Sequence, residues 1–194
     1  MNLLFAITGG IACGKSTFSN FISEAGFEVL DADDLVRGLQ APGGAALPLI
    51  RETFGEAVFH PDGSLNRAAL ASVVFPDAGA RRALEALLHP PVRAAFDAWR
   101  AKPASTPRAA VIPLLFESGW DCDWPHITCI AAAPELQMRR LLQRGLSEPD
   151  AVARVHAQLP LHEKISRAHC VVWNNGTPDA LRANALQWIK KVTS

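Results

Sequence analysis

A glycine-rich stretch near the start of the chain, Gly9–Thr17, constrains the fold more than any other feature of the sequence. It reads GGIACGKST and fits the pattern G-x-x-x-x-G-K-[S/T], directly after an apolar run that begins at Leu3. A strand that ends in such a turn and opens a helix points several backbone N–H groups into one concavity, at the positive end of the helix dipole. The stretch therefore predicts a phosphate-binding loop between a strand and a helix.

Two side chains of this loop suit nucleotide phosphates. The Lys15 ammonium is a mobile cation for the β- and γ-phosphates, and the Ser16 hydroxyl can take one position on a Mg²⁺ that also holds phosphate oxygens. The alternative is a glycine-rich turn that binds nothing. It is disfavoured because an amphipathic helix follows, with apolar residues at helical spacing from Phe18 to Ala25 and Gly26 at its end. We expect ATP and Mg²⁺ as the cofactors.

The composition indicates one globular domain and argues against several classes of protein. The chain has 194 residues, 49% hydrophobic and 20% charged, which suits a single core with appendages. Its 19 basic and 19 acidic residues cancel, so no overall field favours nucleic acid or an anionic membrane. No apolar run approaches the ~20 residues of a membrane span. We expect a cytoplasmic protein without a cleavable leader, and with no nucleic acid, membrane or obligatory protein partner.

The four cysteines are scattered, without a C-x-x-C pair or a histidine at metal-ligand spacing, so the sequence predicts reduced thiols. Cys13, inside the loop, allows two interpretations. A thiolate beside a helix N-terminus and the Lys15 charge is favoured to ionise, which makes it reactive toward alkylating reagents and protected by Mg-ATP. A thiol that packs away from the phosphates is inert.

A second apolar run, residues 27–30, leads into the acidic sequence DADD at residues 31–34. The carboxyl ends of parallel strands share one edge of an open α/β sheet, so we expect these acids beside the phosphate loop. Asp34 suits a helix-capping role. Asp33 is favoured as a catalytic group because of the neighbouring loop. The choice between Asp31 and Asp33 as the base stays open.

Residues 41–102 form a helical insertion, which begins at a cluster of prolines and glycines and shows no convincing strand. Asp62-Gly63 is expected to turn between the first two helices, and Pro76-Asp77 to start a third. His89-Pro90-Pro91 is expected to separate the third helix from a fourth. Insertions of this kind in α/β enzymes usually supply a substrate pocket.

The chain then returns to the sheet. Arg108–Phe116 and Ile127–Ala131 are predicted strands, and Glu117 emerges at the carboxyl end of the first. On the helix that follows the second strand, Arg140 and Arg144 are four residues apart and share a face. This face is either a solvated basic surface or a charge clamp for a triphosphate, and the phosphate loop favours the clamp.

Residues 136–168 read as short helices with a corner at Gly145–Ser147 and a break at Pro160. They precede a fifth strand, Cys170–Trp173, and a last helix that begins near Pro178, and they are placed like a lid. The sequence predicts an α/β protein of the P-loop NTPase type, with a five-stranded parallel sheet in a three-layer α/β/α arrangement. The single kinase domain comprises a core of residues 1–40, 103–135 and 169–194, a helical acceptor-binding subdomain of residues 41–102 and a lid of residues 136–168.

A series of motifs makes the chain similar to one family over nearly its whole length. The motifs are ITGGIACGKST at Ile7–Thr17, DAD at Asp31–Asp33 followed by Arg37, LNRAAL at Leu65–Leu70, HP at His89, PLLFE at Pro113–Glu117, Q-x-x-R-x-x-x-R at Gln137–Arg144 and NNG from Asn174. In this order they resemble dephospho-CoA kinase. The loop motif alone is shared by many unrelated NTPases, whereas DAD, LNR, HP and PLLFE in this order are specific to this family.

The resemblance implies transfer of the ATP γ-phosphoryl group to the ribose 3′-hydroxyl of dephospho-CoA, the last step of coenzyme A biosynthesis. It implies that Asp33 accepts or orients the hydroxyl proton, that Lys15 and Arg140 are catalytic, and that Ser16 binds the metal. The implied nucleotide-binding residues are Gly10, Ile11, Ala12, Cys13, Gly14, Lys15, Ser16, Thr17, Arg144 and Asn174. The implied acceptor-binding residues are Thr8, Asp33, Arg37, His89 and Glu117.

The chain departs from the family pattern at two places. Ala12-Cys13 replaces the usual Gly-Ser, which argues against a need for positive φ at position 12. Ala168-His169 replaces the usual Ala-Asp. Two other functions stay open: another small-molecule or nucleoside monophosphate-type P-loop kinase, and a nucleotide-dependent switch or binding protein. The motifs of the helical insertion argue against the first, and the lack of an N-K-x-D sequence argues against a GTPase switch.

Overall fold

The computed structural model describes residues 3–193, and within them five strands form one parallel sheet in the order β2-β3-β1-β4-β5. The strands are β1 (Leu4–Gly9), β2 (Glu28–Asp31), β3 (Arg108–Val111), β4 (Ile127–Ala131) and β5 (Cys170–Trp173). The helices are α1 (Lys15–Glu24), α2 (Ala32–Leu39), α3 (Leu47–Phe54), α4 (Arg67–Val74), α5 (Ala78–Ala101), α6 (Pro134–Gln143), α7 (Glu148–His156), α8 (Leu161–Arg167) and α9 (Pro178–Thr193). The predicted α/β class with a five-stranded parallel sheet is confirmed.

The chain forms two compact units. The sheet unit runs from the start of the described chain to Asp31 and resumes at Ala104. The helical unit is Ala32–Pro103. It includes residues 32–40, which the division made from the sequence places in the core.

The central strand of the sheet unit, β1, is buried from Phe5 to its end, as expected for a parallel strand covered on both faces. Helices α1 and α9 pack together, and Trp188 of α9 brings its ring to within 5.1 Å of Phe5 and 5.4 Å of Phe18, measured between ring centroids. The Trp188 indole donates a hydrogen bond of 3.0 Å to the Thr128 hydroxyl. This aromatic core packs β1 against α1 and α9.

Strand β3 is shorter than predicted, because it ends at Val111 and not at Phe116. The Ile112 N–H still donates to the carbonyl of Ile7 at 2.9 Å, but Pro113 has no N–H and cannot continue the ladder. The chain then turns, with the Ser118 N–H donating to the carbonyl of Leu114 at 2.9 Å. Glu117 therefore lies in a turn beyond the sheet.

A single helix, α5, takes the place of the two helices predicted on either side of His89-Pro90-Pro91, so that prediction was wrong. Each proline removes one helical hydrogen bond and crowds the preceding turn, at a cost of ~3 kcal/mol or more. The buried side of α5 continues across the prolines, from Leu88 to Trp99. Burial of large apolar side chains, at about 1.5–3 kcal/mol each, offsets the loss and keeps the helix continuous.

The turn predicted at Asp62-Gly63 is present. Gly63 has φ 81°, and the Ser64 N–H donates to the Asp62 carboxylate at 2.9 Å. Phe59 and Leu65 pair across this turn in a single antiparallel bridge, which the sequence did not predict. The turn therefore closes a short hairpin within the helical unit.

His169, one of the two departures from the family pattern, accepts a backbone hydrogen bond. The Ile127 N–H donates to His169 Nδ1 at 3.0 Å, and the His169 N–H donates to the Ile127 carbonyl at 2.9 Å. Here the histidine can replace a carboxylate acceptor. It joins the amino ends of β4 and β5, at the edge of the sheet opposite the loop.

Within residues 3–193, no helix combines the length and apolar character needed to cross a bilayer.

Candidate active site

The two fixed glycines of the loop are required by the backbone. Gly9 has φ 145°, and a Cβ there would overlap the carbonyl oxygen of Ile130 in β4. Gly14 has φ 97°, and a Cβ there would overlap the side-chain amide of Asn174. Ile130 of β4 and Asn174, which follows β5, therefore lie too close to these two positions to leave room for a side chain.

Lys15 spans the mouth of the loop. Its Nζ donates to the carbonyls of Gly9 and Gly10 at 3.0 and 2.9 Å. No side chain caps the N-terminus of α1 and no acidic residue lies in its first turn, so the positive end of the helix dipole is not neutralised locally. Ser16 and Thr17 are exposed in that turn. A cation, a helix N-terminus and two hydroxyls together suit a polyphosphate.

A cavity of about 390 Å³ opens beside the loop. Arg140 and Arg144 line it, as does Arg139, which the sequence analysis did not single out. Pro178 and Leu181 add an apolar wall from α9. Three guanidinium groups and one apolar surface, in a cavity of this size, suit an anionic ligand that also carries an aromatic base.

Arg140 and Asn174 hold the loop through its carbonyl groups. Arg140 Nη1 donates to the Ala12 carbonyl at 3.2 Å, and Nη2 donates to the Asn174 carbonyl at 3.0 Å. The buried amide of Asn174 donates in turn to the Cys13 carbonyl at 2.9 Å. These bonds connect α6 and the end of β5 with the same segment of the loop.

Cys13 is fully buried and belongs to the apolar core between the sheet, α1 and α9. Burial raises the pKa of the Cys13 thiol and outweighs the opposing effect of the Lys15 charge. Burial likewise raises the pKa of Cys129 to about 12, with Cys13 nearby as a second cause. The structure favours the inert interpretation of Cys13 and contradicts the reactive one.

We therefore expect a small alkylating reagent at neutral pH to modify the exposed Cys122 well before Cys13. Mg-ATP should leave the labelling pattern unchanged, because the rate of Cys13 modification depends on its burial in the core. Mass mapping of partly labelled protein checks this result. Preferential labelling of Cys13 that Mg-ATP suppresses would contradict it.

Ala12 has φ 58° and is the only non-glycine residue with positive φ among residues 3–193, so the inference that this position needs none was wrong. The left-handed conformation costs an L-residue about 1–2 kcal/mol, which accounts for the usual glycine of the family. Ala12 is buried and packs in a small apolar cluster with Leu141 of α6 and Ala151 of α7. This packing offsets part of the cost.

The three carboxylates after β2 differ in their surroundings. Asp31 is the half-buried last residue of β2 and belongs to the sheet unit. Asp33 and Asp34 are exposed in the first turn of α2, in the helical unit. Asp34 forms an ion pair with Arg37 one turn later, which supports its local role in the helix. His89, half-buried on α5, belongs to the helical unit as well.

Thr8 and Glu117, the predicted acceptor-binding residues of the sheet unit, belong to one hydrogen-bond network, in which Thr8 is buried and Glu117 is exposed. The Thr8 hydroxyl donates to the Pro113 carbonyl at 3.4 Å. Lys164 of α8 is fully buried, and its Nζ donates to Glu117 Oε1 at 2.7 Å and to the same carbonyl at 3.1 Å. Sequence reasoning missed Lys164. The available signal was helical spacing, because Lys164 lies three residues after Leu161 and so shares the packed face of α8.

The site also fits a magnesium ion. Among the described residues, no group of three or more His, Cys, Asp or Glu side chains forms a ready metal site. Mg²⁺ usually takes one or two protein oxygens and completes its shell with phosphate oxygens and water. Ser16 supplies a hydroxyl at the start of α1, and its exposure leaves room for such a shell. The donor present is therefore of the kind that Mg²⁺ prefers.

A family model described as dephospho-CoA kinase matches residues 3–179 of the chain. The chain belongs to the dephospho-CoA kinase family. It is therefore a P-loop kinase that phosphorylates dephospho-CoA at the expense of ATP, as the motifs predicted. This membership sets aside the alternative of a nucleotide-dependent switch.

Individual dephospho-CoA kinases are similar over most of their length. The protein of that name from Symbiobacterium thermophilum is 45% identical over 186 residues, covering 93% of this chain and 77% of the relative. The solved dephospho-CoA kinase from Campylobacter jejuni superposes with a TM-score of 0.73 at 27% identity, covering 99% of this chain and 98% of its own. A Thermus thermophilus structure superposes with a TM-score of 0.84 at 35% identity, covering 100% and 98%.

Proposed function

We propose that this kinase transfers the γ-phosphoryl group of ATP to the ribose 3′-hydroxyl of dephospho-CoA and releases CoA and ADP. The observation that carries the proposal is the loop Gly9–Thr17, with Lys15 across its mouth and three arginines on the adjacent cavity. In the transfer, the hydroxyl oxygen bonds to the γ-phosphorus and its proton leaves. The bond from that phosphorus to the β–γ bridging oxygen breaks, and ADP keeps the electron pair.

In this proposal, Lys15 and the N-terminus of α1 bind the β- and γ-phosphates. Arg140 donates to two neutral carbonyls, and a phosphate oxygen is a stronger acceptor for a guanidinium than either. The exposed Arg144 adds a second guanidinium group to the lining of the cavity. Phosphoryl transfer depends mainly on positioning and on neutralising charge, which these groups supply.

The acceptor-binding residues of the proposal are those that the family motifs imply. Asp33 accepts or orients the proton of the 3′-hydroxyl. Its exposed position in the first turn of α2, two residues after β2 ends, leaves the carboxylate accessible to a substrate. The other residues assigned to dephospho-CoA binding are Thr8, Arg37, His89 and Glu117. Asp31 is the alternative base, since it lies at the end of the strand.

Ser16 would hold Mg²⁺ through its hydroxyl. When bound, the ion supplies positive charge that neutralises the phosphate oxygens. The side chains of this kinase do the remaining work, since Lys15 and the arginines bind the phosphates and Asp33 handles the proton. We place the reaction in the cytoplasm, where scattered cysteines stay reduced.

A coupled assay for ADP, run with and without dephospho-CoA, tests the proposal. We expect ADP and CoA in equal amounts, with little ADP formed when the acceptor is omitted. A 3′-deoxyribose analogue of dephospho-CoA is the matched control and should not be phosphorylated. Phosphorylation of that analogue, or ADP formation that does not depend on an acceptor, would contradict the assigned position.

A further inference from the structure

Ile11 and Ala12 are the central residues of a tight turn inside the phosphate loop. The Cys13 N–H donates to the Gly10 carbonyl at 3.3 Å and closes the turn, and Ala12 has φ 58° at its third position. A turn in which only the third residue has positive φ is typically of type II. Its central peptide points in the direction opposite to that in the commoner type I turn. Glycine or asparagine usually fills this position, whereas here it is alanine.

Both backbone polar groups of Ile11 are bound by glutamine side chains. Gln158 Oε1 accepts from the Ile11 N–H at 2.8 Å, and Gln137 Nε2 donates to the Ile11 carbonyl at 2.8 Å. That carbonyl belongs to the peptide whose direction distinguishes the two turn types, so Gln137 favours the direction seen here. Gln137 is buried, and a Cβ on Gly10 would lie 2.7 Å from its Nε2, so glycine leaves the space that Gln137 occupies.

Gln158 is held in place by the neighbouring backbone. The N–H of the next residue, Leu159, donates to Glu117 Oε1 at 2.9 Å. The same oxygen accepts from the fully buried Lys164 at 2.7 Å. A charged pair therefore anchors the segment between α7 and α8 that carries Gln158, and this segment contacts the loop through one side-chain amide.

We propose that Gln137 and Gln158 are positioning residues for the kinase reaction. Gln137 holds the Ile11–Ala12 peptide in its reversed direction, and Gln158 holds the N–H of the preceding peptide. Together they keep the phosphate loop in the shape that binds ATP. When the Gln137 bond is lost, the loop can relieve the left-handed conformation of Ala12 by turning the Ile11–Ala12 peptide over. This inference rests on the proposed nucleotide site. Because both glutamines contact the loop, their loss affects the affinity for ATP and not the affinity for dephospho-CoA.

Calorimetric titration with ATP, together with KM for each substrate, tests the inference in Gln137→Ala and Gln158→Ala. We expect each variant to bind ATP roughly 3- to 10-fold more weakly, as for the loss of one neutral hydrogen bond, with an unchanged KM for dephospho-CoA. Addition of Ala12→Gly to Gln137→Ala should restore most of the affinity, because glycine adopts positive φ without strain. Gln187→Ala, at an exposed position of α9, is the matched control and should bind ATP normally.

Unchanged ATP affinity in the two single variants would overturn the inference. So would a loss of affinity in Gln137→Ala that Ala12→Gly does not relieve, since Gln137 would then act by another route. Gln137 is buried, so the half-exposed Gln158 decides the result if the Gln137 variant does not fold. The Lys15→Ala variant distinguishes a failure of the proposed nucleotide site from a failure of the inference about the glutamines. If Lys15→Ala keeps full turnover, the proposed nucleotide site is wrong. If Lys15→Ala is inactive while Gln158→Ala binds ATP with normal affinity, only the positioning role is overturned.

Discussion

Replacement of Lys15 by alanine is expected to lower kcat by at least about 10²-fold while the protein stays folded. The Lys15 side chain is half-exposed, and its ammonium contacts the carbonyls of Gly9 and Gly10 at the mouth of the loop. Its loss therefore removes a cation from the phosphates during transfer and removes little packing. The measurement is kcat at saturating ATP and dephospho-CoA, with thermal unfolding of the same sample as the test of folding.

Lys191→Ala is the matched control for this substitution. Lys191 is an exposed lysine near the end of α9, and its replacement removes the same charge without touching the loop. We expect its kcat to equal that of the unchanged protein. An unchanged kcat in Lys15→Ala would contradict the assignment of the phosphate site, whatever the control shows.

Asp33→Asn is expected to lower kcat by roughly 10²-fold or more, the usual contribution of a general base. Asparagine keeps the size of the side chain and loses the charge that accepts or orients the hydroxyl proton. ATP binding should persist, because the proposed phosphate contacts of Lys15 and the arginines are unchanged. Single-turnover rates and ATP titration on the same sample measure the two effects separately.

The neighbouring carboxylates provide the controls for this experiment. Asp34→Asn should keep its kcat within a few-fold, because Asp34 is engaged by Arg37 within α2. Asp31→Asn tests the competing assignment. If it loses activity while Asp33→Asn stays active, the base is the half-buried residue at the end of β2, and the role proposed for Asp33 is wrong.

The sequence alone determined the phosphate loop, the strand before it and the helix after it, because these depend on local backbone constraints. Gly9 and Gly14 adopt positive φ, as their place in the pattern requires. Spacing within a helix likewise placed Arg140 and Arg144 on one wall of the cavity. The family followed from motifs of this kind, each of them a short run of neighbouring residues.

Only the tertiary structure decided how the loop is held. Ile11 contacts Gln158 across 147 positions of sequence and Gln137 across 126, and no local pattern contains such pairs. The burial of Cys13 and the left-handed Ala12 depend on helices that pack against the loop from later in the chain. Burial of its apolar side chains also keeps α5 continuous across two prolines, where local sequence rules predict a helix break. In each case the deciding free energy comes from contacts between distant segments, and these outweigh the local preference of the backbone.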